Sequence, residues 1–248
     1  MPVRPDRSDS TQQILVDGAG TRLARFVPDE QDGRPAAYRF ELETAIEQAV
    51  PAILAELRGW RISADETLGS ALVASGACPV RHLHILRRDL RSAPARYPSG
   101  HAGLDLRPVD RPAEDLLDAF RAAFPSTHVD GPRQHPRDLE NVLSGALGPI
   151  LDASGLALDA DGRVRAAVLV TDSAFPPPVS GPWIMECFRD PHPRYAGAGR
   201  ALLERALARG ARAGLARIGL TVTHGNPARR LYHSLGFARV QTRLSVDL

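Results

Sequence analysis

Apolar positions change their period along this chain, and each change marks an element. Over residues 13–27, Ile14, Leu15, Val16, Leu23, Phe26 and Val27 flank Asp17-Gly18-Ala19-Gly20, the pattern of a hairpin. Over residues 36–57, Phe40, Leu42, Ile46, Val50, Ile53, Leu54 and Leu57 recur at three- and four-residue intervals. That spacing predicts a helix, with Pro51 as a point of kinking. A short strand at 60–63, a helix at 66–75 and a strand at 79–90 follow. In the last of these, Val80, His82, His84 and Leu86 alternate with Arg81, Leu83, Ile85 and Arg87. Residues 91–103, with Pro94, Pro98, Gly100 and Gly103, interrupt the pattern, so a linker is placed at 93–103. Residues 1–12, polar and charged at their start, are expected to be a disordered lead-in to an N-terminal α/β domain at 13–92.

After the linker the pattern restarts. A strand at 104–109 precedes an amphipathic helix at 112–124, whose stripe is Leu116, Leu117, Phe120 and Phe124 and whose first turn opens on Pro112. A loop at 125–131 leads to a second helix at 136–147. Strands at 155–158 and 164–171 are joined by Asp159-Ala160-Asp161-Gly162, a good hairpin signal. The proline-rich stretch 175–182 leads into a strand at 183–189. A helix at 197–213, a strand at 217–223, a helix at 227–235 and a strand at 238–246 complete an α/β (α+β) order of elements.

Composition narrows the function classes. The 248 residues are 43% hydrophobic and 24% charged, as in an ordinary soluble globular protein, and the length admits one large domain or two small ones. No window approaches the roughly 18–20 uninterrupted apolar residues of a membrane-spanning helix. Residues 1–13 lack the apolar stretch of a secretory signal, so a cytoplasmic protein without a membrane partner is expected. Cys78 and Cys187 have neither CxxC nor His spacing around them, which suggests no metal site and no disulfide framework. A net charge of +2 gives little drive toward nucleic acid; Arg205, Arg209, Arg212 and Arg217 are read as an exposed helix face and its following turn. All 31 basic residues are arginine, which together with abundant Ala, Gly and Pro is associated with GC-rich bacterial genomes. A chain without lysine cannot acetylate its own lysine side chains.

Candidate chemistry concentrates in two segments. In the first, Arg189-Asp190-Pro191-His192-Pro193-Arg194-Tyr195-Ala196-Gly197-Ala198-Gly199-Arg200, a strand passes through a glycine turn into an Ala/Leu-rich helix. Unpaired amides and the helix dipole at such a start suit a pyrophosphate, although glycines before a helix also serve turns alone. There is no Gly-Lys-Ser/Thr ending and no third glycine of the dinucleotide fingerprint. In the second segment, Asn226 and Pro227 open a short helix containing Tyr232, which ends at Gly236-Phe237 before the last strand.

Arg194-Tyr195-Ala196-Gly197-Ala198-Gly199, with Pro191 three residues earlier, is similar to the acetyl-CoA signature of the GNAT superfamily of N-acetyltransferases. The Asn226–Phe237 segment resembles that family's second hallmark, at the right distance. The resemblance runs from Leu104 to the C-terminus and implies a GNAT acetyltransferase domain at 104–248. Its fold would be a mixed, mostly antiparallel central sheet with a V-shaped splay, flanked by helices.

The resemblance also implies an activity, transfer of an acetyl group from the co-substrate acetyl-CoA to a primary amine by direct attack on the thioester. It places the CoA pyrophosphate on the amides of Arg194, Tyr195, Ala196, Gly197, Ala198, Gly199 and Arg200, and the pantetheine arm along the main chain of Phe188 and Arg189. Asn226 would hold the pantetheine or cap the following helix. Tyr232 would protonate the departing thiolate, or simply pack on the sheet. Glu186 is a candidate base, or a structural carboxylate. His128 and Asp130 fall where relatives bind the amine acceptor, though loop residues of these types are usually solvated. His224 and His233 are assigned to solvent or packing. No metal and no nucleic acid is implied; the partner is a small-molecule or peptide amine. The alternative is a non-catalytic acyl-CoA sensor. The helix-to-strand pattern of 66–90 is similar to that of 229–248, which suggests a degenerate GNAT-like N-terminal half serving as scaffold, substrate wall or homodimer surface. An unrelated small α+β domain remains open.

Overall fold

The computed structural model describes residues 3–6, 8–91, 101, 103–175 and 178–248. They form two units, one of Met1–His84 with Gln241–Leu248, the other of Ile85–Val240. The division falls inside two strands. It does not fall at the expected linker 93–103, of which 93–100 and 102 lie outside the described residues. No helix among the described residues is long and apolar enough to cross a membrane.

The first unit begins with β1 (Val3–Pro5), β2 (Gln13–Val16), β3 (Arg22–Gln31) and β4 (Arg34–Leu42), successive antiparallel neighbours. Then come α1 (Ile46–Glu56), β5 (Arg61–Asp65), α2 (Glu66–Ala74) and β6 (Cys78–Asp89), whose first part belongs here. β5 lies parallel to β4 on one side and antiparallel to the chain's last strand on the other. Leu15, Phe26, Phe40, Ile53, Leu57, Ile62, Leu68 and Leu72 make the core under α1 and α2.

Two expectations fail in this unit. Residues 3–5 are not a disordered lead-in, because β1 satisfies its backbone on β2 and Asp6 pairs with Arg22 at 3.0 Å. The helix expected at 36–57 begins only at Ile46. The two-residue turn Asp32-Gly33, with φ of 55° and 72°, closes a β3–β4 hairpin instead. A bulge around Arg39 and Phe40 then shifts β4 by one residue, so Ala37, Phe40 and Leu42 all meet the core. Their spacing of three and two mimics a helix in sequence.

The second unit contains β7 (Asp105–Arg107), α3 (Ala113–Ala123), α4 (Pro136–Leu143), β8 (Gly155–Leu158), β9 (Val164–Ser173), β10 (Gly181–Arg189), α5 (Ala198–Arg212), β11 (Arg217–Thr223), α6 (Ala228–Ser234) and the start of β12 (Ala238–Asp247). β7, β8, β9 and β10 are antiparallel neighbours, and β11 joins β10 in parallel. One face of this sheet is covered by α5 and α6 through Leu202, Leu203, Ala206, Leu207 and Tyr232. The other is covered by α3 and α4 through Leu116, Phe120, Leu139 and Val142. Truncating a fully buried side chain such as Leu207 to alanine would cost about 2–5 kcal/mol. α4 stops at Leu143, four residues short of the expected end, where Ser144 caps it by donating to Glu140.

The order β3-β4-α1-β5-α2-β6 in the first unit repeats β9-β10-α5-β11-α6-β12. In each, an antiparallel hairpin carries a bulge in its second strand, and a helix crosses over to a parallel neighbour paired at only two positions. The first unit thus shares this order of elements and pairings with the second. It lacks the glycine turn: only Glu43, Thr44 and Ala45 join β4 to α1, and Glu47 adds negative charge to the first helical turn.

Candidate functional site

The site of the second unit is built on a parting of two strands. β10 pairs with β9 from Gly181 to Arg189, with a bulge at Met185. Against β11 it pairs only at Trp183–Gly219 and Ile184–Leu220. The Trp183 ring lies where a side chain on Gly219 would be, so only glycine lets the strands meet there. Beyond Ile184, β10 has no β11 partner, and its free edge leads to the C-terminal ends of the parallel pair, where crevices of α/β sheets open.

Past Arg189 the chain makes a short 3-10 turn, Pro193–Tyr195, and enters α5 through Gly197, at φ 91° and ψ −17°. That left-handed conformation favours glycine. Ala201 N–H donates to Gly197 O at 3.0 Å, while the amides of Ala198, Gly199 and Arg200 have no intrahelical acceptor. Earlier in the expected pyrophosphate segment the amides have partners. The amides of Tyr195 and Ala196 donate to His192 O and Pro193 O at 3.0 Å, and that of Arg194 donates to His192 Nδ1 at 3.3 Å. These three amides are engaged in the turn itself.

The basic side chains of the segment are also engaged. Arg189 donates to Asp190 O at 2.6 Å and His192 O at 3.2 Å. The Arg194 guanidinium stacks 4.6 Å from the buried Tyr195 ring, bonds its hydroxyl and lies 3.6 Å from Asp159. Arg165 bridges Asp159 at 2.7 Å and Asp190 at 3.2 Å. Burial alone would raise the Asp159 carboxyl; Arg165 and the amides of Arg163 and Asp161 outweigh it and hold the pKa at about 2. Arg200 donates to Ser234 at 2.6 Å and to Glu204 at 3.4 Å.

Along β10 past the bulge, neighbouring side chains enter different cores. Phe188 joins α3 and α4, its ring 5.3 Å from Phe120, while Cys187 joins the core of α5 and α6 that contains Tyr232. Glu186 is only 9% exposed and has no hydrogen-bond or ion-pair partner among the described residues. Burial, then the charges of Asp138 and Asp130, push its pKa up to about 8. Burial also raises the Tyr232 phenol well above its ordinary value, reinforced by Cys187, whose own thiol burial pushes up to about 12. Both groups stay protonated across neutral pH.

The loop between α3 and α4 is drawn to the end of β11. Asp130 accepts the Thr223 hydroxyl and, at 2.8 Å, the Asn226 amide. Asn226 Oδ1 in turn accepts Ala228 N–H at 2.8 Å, at the start of α6. His128 Nδ1 accepts Asp130 N–H at 3.1 Å, and its ring packs 5.3 Å from Phe124. Asp130 thus brings His128 and Asn226 together and acts electrostatically on Glu186 and Tyr232. Sequence reasoning missed Thr223, Asp138, Cys187 and the Asp159–Arg165–Asp190 network. Asp159 had a visible signal, but it was that of a hairpin turn.

The acetyltransferase (GNAT) family model matches residues 114–237. No curated protein matches the sequence. Among solved structures, a GCN5-related N-acetyltransferase from Sphaerobacter thermophilus is similar at 18% identity and a TM-score of 0.64, covering 95% of this chain and 79% of that one. A tandem GNAT protein from the clavulanic acid biosynthesis pathway is similar at 14% identity and 0.59, covering 95% and 81%. A GCN5-related N-acetyltransferase from Kribbella flavida is similar at 21% and 0.50, covering 90% and 85%. At these identities the likeness is one of fold.

Proposed function

The chain belongs to the GNAT family of acetyltransferases and is an acyltransferase, and from that we propose that it transfers an acetyl group from acetyl-CoA to a primary amine of a small molecule, peptide or protein. Residues 104–248 are the catalytic domain in this reading, and the N-terminal half is scaffold. One observation carries it: β10 runs from Ile184 to Arg189 without β11 and delivers the chain to a glycine-capped helix with open amides. A free strand edge suits the amide-bearing pantetheine arm at Phe188 and Arg189, and the amides of Ala198, Gly199 and Arg200 suit the diphosphate, with Gly197 leaving room for it. Arg194, Tyr195 and Ala196 shape the turn.

Acetyl-CoA supplies the acyl group already activated as a thioester. Glu186 accepts the proton that the acceptor nitrogen loses, directly or through one water. A main-chain N–H near Phe188 bonds the carbonyl oxygen as it gains charge. Tyr232, kept protonated by burial, returns a proton to the departing sulfur. Asn226 fixes the start of α6 and so Tyr232, while His128 and Asp130 border the acceptor side.

The test is CoA release by the full chain across a panel of amines. Acceptor-dependent release is expected. Absence of acetyl-CoA binding at millimolar concentration would sink the reading, and tight binding without release to any amine would favour the sensor.

A further inference from the structure

We propose that the arginine-lined cavity where β6 ends beside the starts of β11 and β12 binds a small phosphate-bearing anion, at a site separate from the acyl-CoA crevice. Its volume is about 580 Å³, the size of a small-molecule pocket. Arg87, Arg88, Asp89 and Arg91 line it from β6 and the turn that follows, and Arg217 from the first position of β11. Ala216, Gly236 and Ala238 complete the wall and add no polar side chain. All of these residues belong to the second unit. β11 runs from Arg217 to Thr223, and the crevice described above opens at the Thr223 end. A rise of about 3.3 Å per residue puts the two ends roughly 20 Å apart, so one phosphate group cannot serve both.

Positive charge in this cavity is not balanced by the protein's own acids. The Arg87 guanidinium donates to Pro178 O and lies 6.0 Å from the Trp183 ring centre, both uncharged partners. Burial, then the like charge of Arg217, lowers its pKa. Among the described residues, neither Arg87 nor Arg217 pairs with a carboxylate. Asp89 is the one acid of the lining, and Arg91 takes both its oxygens, at 3.2 and 2.7 Å. Arg88 reaches the Gly236 carbonyl at 3.5 Å, just past α6, while its Nε is buried without a hydrogen-bond partner. A phosphate with two or more negative charges would bridge Arg87 and Arg217, relieve their repulsion and match the fork of each guanidinium. A cavity of this volume in a chain of net charge +2, rather than an extended basic stripe, favours a compact anion over nucleic acid.

The probe is inorganic pyrophosphate, titrated into the full chain by calorimetry at fixed ionic strength. Saturable binding is expected, weakened about tenfold in Arg217→Gln and in Arg87→Gln, the range of a lost hydrogen bond to a charged group. Arg121→Gln, the same change of charge on α3, should leave it unaltered. Asp89→Asn should tighten it about two- to fivefold, the worth of one exposed charge. Arg217 is exposed, so its variant should fold even where Arg87→Gln, beside Trp183, does not. No binding at millimolar concentration overturns the proposal. So does parental affinity in Arg217→Gln, which would put the anion on the α5 amides instead, or an equal loss in Arg121→Gln, which would reduce the effect to net charge. Tighter binding of short duplex DNA than of pyrophosphate, lost in the same variants, would also overturn it and make the surface a nucleic-acid contact. None of these outcomes depends on whether the protein releases CoA, so acyl transfer and anion binding fail separately.

Discussion

Asn226 donates its side-chain amide to Asp130, ninety-six positions earlier in the chain, at 2.8 Å. This bond ties the loop between α3 and α4 to the end of β11 and the start of α6. It therefore sets the distance from a carboxylate in one layer to Glu186 and Tyr232 in the sheet and the opposite layer.

The first prediction concerns the pH at which Glu186 works. With a pKa of about 8, the acceptor kcat/KM should rise with pH and level off above that value. Asp138 and Asp130 both raise this pKa, Asp138 the more, so neutralising either moves the midpoint down. Asp138→Asn should move it further than Asp130→Asn in pH–rate profiles. Equal profiles in all three proteins would remove Glu186 from the role of base.

Glu186→Gln should lower kcat by about 10²–10⁴-fold, the usual range for a lost general base, and flatten the profile. It should also change stability with a definite sign. The folded-state pKa is raised, so the stability from the protonated carboxyl is fully present below the unfolded value near 4.5. It is lost progressively up to about pH 8 and stays lost above. The Gln variant should therefore gain Tm relative to the parent between those limits, a trend that thermal melts across pH can check.

Tyr232→Phe should reduce kcat with little change in acetyl-CoA KM. The hydroxyl is buried beside Cys187 and contributes little packing area, so unfolding should shift by less than about 1 kcal/mol. A large stability loss with normal turnover per folded molecule would make the tyrosine structural.

Gly219→Ala should destabilise more than most surface changes, because the new methyl overlaps the Trp183 ring at the point where β10 and β11 meet. Overpacking of this kind costs about 1–3 kcal/mol. The matching loss in denaturant midpoint should be recovered by a smaller residue at 183, as in Trp183→Leu.

Several features of this molecule were legible because their signals are local. Gly197 and Gly199 announce a helix start in six residues, and strongly periodic segments such as α3, α5 and β6 follow from side-chain spacing alone. The helix misread at 36–57 shows the limit: one bulged residue gave a strand the spacing of a helix, and only pairing with β3 distinguishes the two. His128, Asp130 and Glu186 could be nominated as residue types. Their joining could not, because burial of Glu186, the bond from Asn226 to Asp130 and the engagement of Arg194 by Asp159 depend on partners far away in the chain. The sequence by itself determined the order of elements and the glycine-capped turn, both properties of consecutive residues. The tertiary structure decided which amides remain open, which arginines are occupied and which carboxylate loses water, because hydrogen bonding and desolvation depend on what the fold brings alongside.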